Sequence, residues 1–322
     1  MDGQTALLEI SGLDVAFGRG RKQVQVVDGV SLRVDAGEIV CLVGESGCGK
    51  SVTALSVMGL LPGQGCVTGG SIRFDGRELR GLRERELDQV RGRDMAMIFQ
   101  DIMYSLNPVL TIGLQMTEGM RRHLGMAREA AEARAVQLLE KVGIPDAAGA
   151  MRRFPHQLSG GQRQRVMIAM ALSCGPKLLI ADEPTTALDM TVQQQILQLL
   201  RKLRDEGLGV LLITHDVGVV AELADRVAVM YAGQVVEQAD VRTLLTAPQH
   251  PYTQALMAAV PGLHDDKARR LYAIPGAVPE RYDTLAGCRF APRCPWTEGC
   301  GGQPGYDADA AHPERCQRGE GA

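Results

Sequence analysis

Aromatic residues are scarce in this chain, at 4% of 322 residues with a single tryptophan. Positive charge is not in excess either, since 35 lysines and arginines stand against 38 aspartates and glutamates. Sequence-independent binding to nucleic acid needs a cationic surface, and binding to single strands also needs aromatic rings on which bases stack. We therefore expect no nucleic-acid partner.

Long hydrophobic runs are also lacking. The longest apolar runs lie at 177–181, 209–214 and 226–231, well short of the roughly 20 residues that span a bilayer. The N-terminus has no cationic segment ahead of an apolar stretch, so no secretion signal is predicted. We expect a chain that stays in the cytoplasm.

The polarity pattern predicts an α/β fold. Strand patterns fill residues 7–43, a helical pattern runs from Gly49 to about Leu60, and further strands are predicted at 71–74 and 95–99. The later part of the chain contains, in order, a helical insertion at 111–142, a strand at 178–182, a helix at 190–205, a strand at 210–214, a short helix to Leu223 and a hairpin that turns at Ala232 and Gly233. Strands alternating with helices indicate crossover connections in a buried parallel sheet.

Composition changes near Pro248, where proline and glycine become frequent and periodicity fades. We predict one domain over residues 1–247, with a helical subdomain at about 101–175, and a C-terminal extension over 248–322. Four of the eight cysteines fall in the last 35 residues. In a reducing compartment this clustering favours a metal centre over disulfides.

The strongest motif lies at residues 44–51, called the phosphate loop below. It reads GESGCGKS, fits G-x-x-x-x-G-K-[ST] and stands between a predicted strand and a predicted helix. In such a loop backbone N–H groups hold the phosphates, the lysine reaches the β- and γ-phosphates, and the final hydroxyl ligates Mg²⁺. The predicted nucleotide-binding residues are Gly44, Ser46, Gly47, Cys48, Gly49, Lys50, Ser51 and Val52.

Two carboxylates end the apolar strand pattern at 178–181. Asp182 is predicted to hold Mg²⁺, mostly through water, and Glu183 to orient or deprotonate the water that attacks the γ-phosphate. Such a strand end also occurs where a strand simply meets solvent. A phosphate loop in the same chain favours the catalytic interpretation.

A second anion-binding helix start is predicted at residues 158–162, the signature sequence LSGGQ. Its predicted contact residues are Ser159, Gly160, Gly161 and Gln162. The helical insertion separates this clamp from the phosphate loop. We therefore expect two chains to pair head to tail, with each Ser159 capping the γ-phosphate bound by the other chain.

At these residues the chain resembles the ATP-binding cassette (ABC) family, over residues 7–240. Three further landmarks follow the family's order: Gln100 of the Q-loop, Asp189 of the D-loop Ala-Leu-Asp, and the switch histidine His215. The resemblance implies an ABC-type P-loop NTPase core with an antiparallel β subdomain. It also implies that His215 contacts the γ-phosphate and that Gln100 senses Mg²⁺ and the coupled permease. Phe17 aligns with the aromatic that stacks on adenine, although a core-packing phenylalanine fits the sequence equally well.

Two segments are similar to the oligopeptide/dipeptide importer ATPases of that family. Residues 100–108 look like their Q-loop, which typically reads close to QDPMTSLNP, with Ile102 here in place of the usual proline. The tail segments at 250–253, 274–276 and 287–295, together with His312 and Cys316, resemble the C-terminal extension of the same subfamily.

The tail cysteines have the spacing C-x5-C-x5-C-x15-C and can furnish a four-cysteine site for zinc or for an iron–sulfur cluster. The residues are Cys288, Cys294, Cys300 and Cys316, and His312 could substitute as a ligand. The resemblance favours a [4Fe–4S] cluster, and four ordinary buried thiols are the alternative. With few large apolar residues nearby, we expect this segment to need such a cross-link to hold a fold.

The resemblance implies an ATP-hydrolysing importer subunit that binds ATP and Mg²⁺ at the cytoplasmic face of the inner membrane, as a peripheral protein. The implied partners are two transmembrane permease subunits, a second cassette that is usually a paralogue, and an extracytoplasmic substrate-binding protein. Di- or oligopeptides are the leading cargo, with nickel, glutathione or other small cargo as alternatives. A soluble cassette ATPase of DNA repair or translation is the competing class, although the insertion is short and only one set of motifs is present.

Overall fold

A computed structural model describes residues 6–101, 105–185, 188–260, 272–279, 281–285, 287–296, 312 and 315–316. None of the helices in these ranges combines the length and the apolar character that a membrane crossing requires. The chain divides into two compact units. The first comprises Met1–Leu7, Val34–Ile39 and Gly81–Leu212, and the second comprises Leu8–Arg33, Val40–Arg80 and Ile213–Ala322.

Ten strands lie in the described residues. They are β1 (Leu8–Phe17), β2 (Val24–Val34), β3 (Ile39–Val43), β4 (Gly65–Phe74), β5 (Arg77–Glu78), β6 (Met95–Ile98), β7 (Leu178–Asp182), β8 (Gly209–Ile213), β9 (Arg226–Tyr231) and β10 (Gln234–Asp240).

The same ranges contain ten α-helices. They are α1 (Lys50–Met58), α2 (Glu84–Leu87), α3 (Ile112–Leu124), α4 (Arg128–Lys141), α5 (Ala147–Ala150), α6 (Gly160–Ala171), α7 (Met190–Asp205), α8 (Val217–Leu223), α9 (Val241–Thr246) and α10 (Pro251–Ala258). Short 3-10 helices occupy Gly20–Lys22, Pro155–Gln157, Tyr282–Thr284 and Ala291–Arg293.

The second unit contains a sheet of order β2-β1-β4-β5, in which β4 runs antiparallel to both β1 and β5. Leu8 pairs with Phe74 and Phe17 with Gly65. The same unit holds the strand order β10-β9-β3, where β9 is parallel to β3 and antiparallel to β10. The predicted antiparallel subdomain and the hairpin turn are therefore confirmed. Ala232, at that turn, has φ of +46°.

The first unit contains the strand order β8-β7-β6, with β6 and β7 parallel, and the helices of the insertion. All five residues of β7 and all five of β8 are buried, which explains why both read as continuous apolar runs rather than as alternating patterns. The mixed α/β architecture matches the expected fold class.

Helix starts in both units follow ordinary capping chemistry. Thr111, Ser159, Asp189, Asp216 and Asp240 each accept a hydrogen bond from a backbone N–H in the first turn of the helix that follows. These side chains satisfy donors that have no partner inside the helix.

The C-terminal region, residues 248–322, has a buried aromatic centre in its described part. Tyr252 and Phe290 are 0% and 2% exposed, and both pack on Tyr231 of β9, with ring centroids 4.6 and 5.2 Å away. The cysteine-containing segment was expected to have little means of burying a core, yet Phe290 in that segment is buried against Tyr231.

Candidate active site

The phosphate loop connects β3 to α1 in the second unit. Gly44 has φ of +151°, and a Cβ there would lie 2.1 Å from the carbonyl oxygen of Met230. Gly49 has φ of +107° and is the N-cap residue of α1, which no side chain caps. The loop thus requires glycine at both positions and presents the start of a nine-residue helix, a geometry that suits an anion.

Lys50 is nearly buried and lies across this loop. Its Nζ donates hydrogen bonds to the carbonyl oxygens of Gly44, at 2.8 Å, and Glu45, at 3.0 Å. Ser46 and Gly47 are exposed, whereas Ser51 and Val52 are half-buried. The ammonium of Lys50 is therefore held at the loop by backbone carbonyl oxygens, and a phosphate can replace them as hydrogen-bond acceptors.

Cys48 is fully buried in the loop, with its Sγ 3.7 Å from Lys50 Nζ. Burial raises the pKa of the Cys48 thiol, and the neighbouring lysine opposes that rise only in part. The thiol is therefore neutral and acts as a packing group rather than a nucleophile.

Phe17 ends β1 and is half-buried. A Cβ on its pairing partner Gly65 would lie 2.7 Å from Cε1 of the ring, so the ring lies directly over that glycine. This contact supports the packing interpretation. The stacking role on adenine stays a prediction.

The signature sequence forms a capping box at the start of α6. Ser159 Oγ accepts a hydrogen bond from the N–H of Gln162 at 3.3 Å, and Gln162 Oε1 accepts one from the N–H of Ser159 at 3.0 Å. Ser159 and Gly160 are exposed and Gly161 is half-buried. The hydroxyl proton of Ser159 is not needed for the cap, so it can be donated outward.

The carboxylates at the end of β7 have unlike environments. Asp182 is 3% exposed, whereas Glu183 is half-buried with φ of +50°. A left-handed backbone is unfavourable for glutamate and is found where the surrounding structure enforces it, often at functional sites. Gln164 of α6, a residue that the sequence analysis missed, donates from Nε2 to the carbonyl oxygen of Pro184.

The remaining predicted residues stand at element ends. Gln100 follows β6 and His215 follows β8, and both are exposed. Asp189 is the N-cap of α7, where its Oδ1 accepts a hydrogen bond from Val192 N–H at 2.9 Å. This cap gives the D-loop carboxylate a structural role that the family resemblance did not suggest. Ala187 and Ile102, named for the D-loop and Q-loop, lie outside the described residues.

The two units divide these residues between them. The second unit holds the phosphate loop, Phe17 and His215, and the first unit holds Gln100, the signature sequence, Asp182, Glu183 and Asp189. Within the first unit, Leu188 of the D-loop lies next to the signature sequence, since a Cβ on Gly161 would lie 3.4 Å from its Cδ2.

Sequence reasoning also missed the contacts of Glu45, inside the phosphate loop. Its carboxylate accepts from Arg293, 248 residues later, and its N–H donates to the hydroxyl of Tyr252. Both partners stand in tail segments whose family resemblance was noted. Nothing in the sequence indicated what those segments contact.

The tail cysteines do not form a metal site in the described residues. No group of three or more histidine, cysteine, aspartate or glutamate side chains is placed there to hold a metal ion, so Cys288, Cys294 and Cys316 are not brought together as ligands. His312 contacts Glu237 instead, with Nε2 2.7 Å from Oε1. Cys300 lies outside the described residues. The expected [4Fe–4S] or zinc centre is therefore unsupported.

Comparisons with known proteins agree with the motifs. The ABC transporter family profile matches residues 27–186, and the profile described as oligopeptide/dipeptide transporter, C-terminal region, matches residues 236–300. A putative peptide import ATP-binding protein of Brucella abortus is 52% identical over 91% of this chain and 88% of its own length. The oligopeptide transport ATP-binding protein AppD of Bacillus subtilis is 51% identical over 90% of this chain and 89% of its own.

Two further relatives extend the comparison. The dipeptide transport ATP-binding protein DppD of Escherichia coli is 50% identical over 92% of this chain and 90% of its own. Among solved structures, the ATP-binding cassette MJ0796, described as a dimer in a post-hydrolysis state bound to ADP and Pi, superposes with a TM-score of 0.67. That structure is 29% identical and covers 73% of this chain and 99% of its own. The chain therefore belongs to the ABC transporter family and carries the oligopeptide/dipeptide transporter C-terminal region.

Proposed function

We propose that this chain is the ATP-hydrolysing subunit of a membrane importer for di- or oligopeptides. One observation carries the proposal: a complete set of cassette motifs stands in the same chain as the oligopeptide/dipeptide C-terminal region. The peptide-transport relatives, at 50–52% identity over about nine tenths of the chain, support the same cargo. Importers of nickel, glutathione or other small cargo are the alternative, and a soluble non-transport cassette is a weaker one.

The residues have distinct proposed roles in ATP hydrolysis. The phosphate loop binds the phosphates through its backbone N–H groups and Lys50. Glu183 orients or deprotonates the attacking water, and His215 contacts the γ-phosphate. The hydroxyl of Ser159 is proposed to serve the nucleotide of a second cassette, which makes hydrolysis depend on pairing of two chains.

Magnesium belongs to this chemistry as the ion that neutralises charge on the β- and γ-phosphates. Ser51, Gln100 and Asp182 are its proposed binding residues. A hydroxyl, an amide oxygen and a carboxylate are oxygen donors that suit this hard cation. The buried carboxylate of Asp182 is consistent with that role.

The proposed partners are two transmembrane permease subunits, a second cassette that is a paralogue, and a substrate-binding protein. Together they would place this chain at the cytoplasmic face of the inner membrane as a peripheral subunit. The domain division at residue 247, with a helical subdomain at about 101–175, is part of the same proposal.

The metal centre of the tail stays a prediction from cysteine spacing and family resemblance, and no step of the proposed function depends on it. Iron and acid-labile sulfide measured in anaerobically purified protein would support a cluster. Zinc without sulfide would support a structural zinc site, and absence of both would refute the metal centre.

Transport reconstitution tests the function directly. The chain would be copurified with its permease, paralogue and binding protein, placed in proteoliposomes, and assayed for ATP hydrolysis with a dipeptide, a pentapeptide, Ni²⁺ or glutathione. We expect a peptide to stimulate hydrolysis severalfold, and Lys50→Ala to remove the activity of its site. Stimulation by Ni²⁺ or glutathione alone would instead assign the cargo to those alternatives.

A further inference from the structure

Glu45 in the phosphate loop is held by two side chains of the C-terminal region. Both carboxylate oxygens accept hydrogen bonds from the guanidinium of Arg293, at 2.6 and 3.0 Å. The backbone N–H of Glu45 donates to the hydroxyl of Tyr252 at 2.9 Å. The carbonyl of the same residue accepts from Lys50 at 3.0 Å. Glu45 is thus fixed through its side chain, its N–H and its C=O.

Arg293 has little freedom to move away from this contact. Its side chain is 4% exposed, its Nε donates to the carbonyl oxygen of Pro275 at 2.7 Å, and it lies over the ring of Tyr231 at 5.8 Å. The hydrogen bond to Glu45 raises the pKa of the Arg293 guanidinium. A buried cation without a paired anion is strongly unfavourable, so Arg293 and Glu45 constrain each other.

Tyr252 is equally fixed. Its side chain is fully buried, and its ring packs against both Tyr231 and Phe290, with centroids 4.6 and 5.4 Å away. Burial raises the pKa of the Tyr252 hydroxyl, which stays protonated and neutral. The oxygen therefore offers the Glu45 N–H an acceptor at a set position.

The phosphate loop also contacts the β9–β10 hairpin. The N–H of Gly233 donates to the carbonyl oxygen of Cys48 at 2.9 Å. Arg289, also in the C-terminal region, donates from Nη1 to the carbonyl oxygen of Ala232 at 2.5 Å. The tail therefore supports the loop directly at Glu45 and indirectly through this turn.

We propose that Arg293 and Tyr252 are positioning residues for ATP binding, acting through Glu45 on the conformation of the phosphate loop. The inference rests on the proposed function. When the ammonium of Lys50 moves to a phosphate, the carbonyls of Gly44 and Glu45 lose its hydrogen bonds. The contacts of Glu45 with Arg293 and Tyr252 then keep the beginning of the phosphate loop in the conformation that binds ATP. Residues of the C-terminal region thus contribute to the affinity of the phosphate loop for ATP.

A double-mutant cycle tests the coupling in the full-length chain. The variants are Arg293→Gln, Glu45→Gln and the two combined, with the dissociation constant of a fluorescent methylanthraniloyl-ATP as the readout and circular dichroism as the check of folding. We expect each single substitution to weaken binding about tenfold, and the double substitution to weaken it no further, because both remove the same contact. The KM for ATP should rise in parallel, while kcat changes less than about twofold, because Lys50 and Glu183 remain.

Arg315→Gln is the matched control. Arg315 is another arginine of the C-terminal region. It donates from Nε to the carbonyl oxygen of Val235 at 3.0 Å and from Nη2 to that of Gly29 at 3.4 Å, and neither acceptor belongs to the phosphate loop. We expect this variant to lower the melting temperature but to bind the nucleotide within twofold of wild type. Equal dissociation constants for Arg293→Gln, Arg315→Gln and wild type would overturn the inference. Additive losses in the double variant would overturn it too.

Tyr252→Phe gives a second test that leaves the aromatic packing in place, for use if Arg293→Gln does not fold. It removes only the oxygen that accepts the Glu45 N–H, and we expect binding about threefold weaker. Unchanged nucleotide binding in this variant would count against the inference while leaving the proposed function intact. Wild-type protein that fails to bind the nucleotide would instead refute the proposed function and, with it, the inference.

Discussion

Gln164 donates a hydrogen bond from its side chain to the carbonyl oxygen of Pro184. Gln164 belongs to α6, which begins at the signature sequence, and Pro184 directly follows Glu183. Both lie in the first unit, and Gln164 is 2% exposed. One buried amide therefore holds the backbone next to the proposed catalytic glutamate, whose left-handed φ needs such support.

Gln164→Leu should remove the hydrogen bond between α6 and the backbone that follows Glu183. The substitution leaves the buried carbonyl of Pro184 without this donor, so we expect the free energy of unfolding to fall by about 1–3 kcal/mol. Hydrolysis should fall more than ATP affinity, because Glu183 is displaced while the phosphate loop is untouched. Steady-state kinetics and urea unfolding measure the two effects.

Gln254→Leu is the control for that experiment. Gln254 also donates from Nε2 to a proline carbonyl, that of Pro248, at 2.9 Å. It belongs to α10, the helix of Tyr252, so any effect of this variant on the phosphate loop should change ATP affinity and leave kcat close to wild type. A similar loss of kcat in both variants would mean that the effect of Gln164→Leu is general destabilisation.

Glu183→Gln should separate binding from chemistry. The amide keeps the size of the side chain but removes its ability to accept a proton from water. ATP affinity should therefore stay nearly unchanged. Hydrolysis should fall by about two orders of magnitude or more, which is about the effect that general-base catalysis supplies. The ATP-bound pair of cassettes should then accumulate in size-exclusion chromatography. Turnover near the wild-type rate would refute the role of Glu183.

Ser159→Arg should leave ATP binding intact and block hydrolysis, because Ser159 is proposed to serve the nucleotide of the opposite cassette. Lys50→Ala should instead abolish binding in its own site. Nucleotide binding and hydrolysis measured over a range of protein concentrations test both statements. Wild-type turnover that does not change with concentration, in a chain shown to be monomeric, would contradict the pairing.

The elements with one dominant local signal could be predicted from the sequence. Strand β7 and helix α7 have the predicted bounds, because a fully apolar run ends in two carboxylates and because Asp189 provides a side-chain cap for the helix. The helix starts at the phosphate loop and at the signature sequence could likewise be predicted, since glycine and serine at fixed spacing indicate a helix N-terminus.

Features that depend on partners distant in the chain could not be predicted. Strand β4 begins at Gly65, well before the predicted start at Ser71, because pairing with β1 extends it through a glycine-containing segment that has little strand preference of its own. The contact between Glu45 and Arg293 joins residues 248 positions apart, and no local pattern encodes it. The same limit applies to the hydrogen bond between Gln164 and Pro184.

His250 should make stability depend on pH. Its side chain is 1% exposed, and its Nδ1 accepts a hydrogen bond from the backbone N–H of Tyr252 at 3.0 Å. The backbone N–H of His250 donates to the buried carboxylate of Glu237, which also contacts His312. Burial lowers the pKa of His250 to about 4, from 6.5, and a hydrogen bond with the backbone of Arg315 only partly opposes this.

Between about pH 4 and pH 6.5, His250 is therefore protonated in the unfolded chain but not in the folded chain. Stability is retained above pH 6.5 and falls as the pH decreases through that window, by up to about 1.4 kcal/mol per pH unit. His250→Asn keeps a side-chain acceptor at the start of α10 but does not titrate. Urea unfolding of both proteins at pH 7, 6 and 5 should show a shallower decline in the variant, because the contributions of other titrating groups cancel in the difference. Equal slopes in the two proteins would show that His250 titrates alike in the folded and unfolded chains.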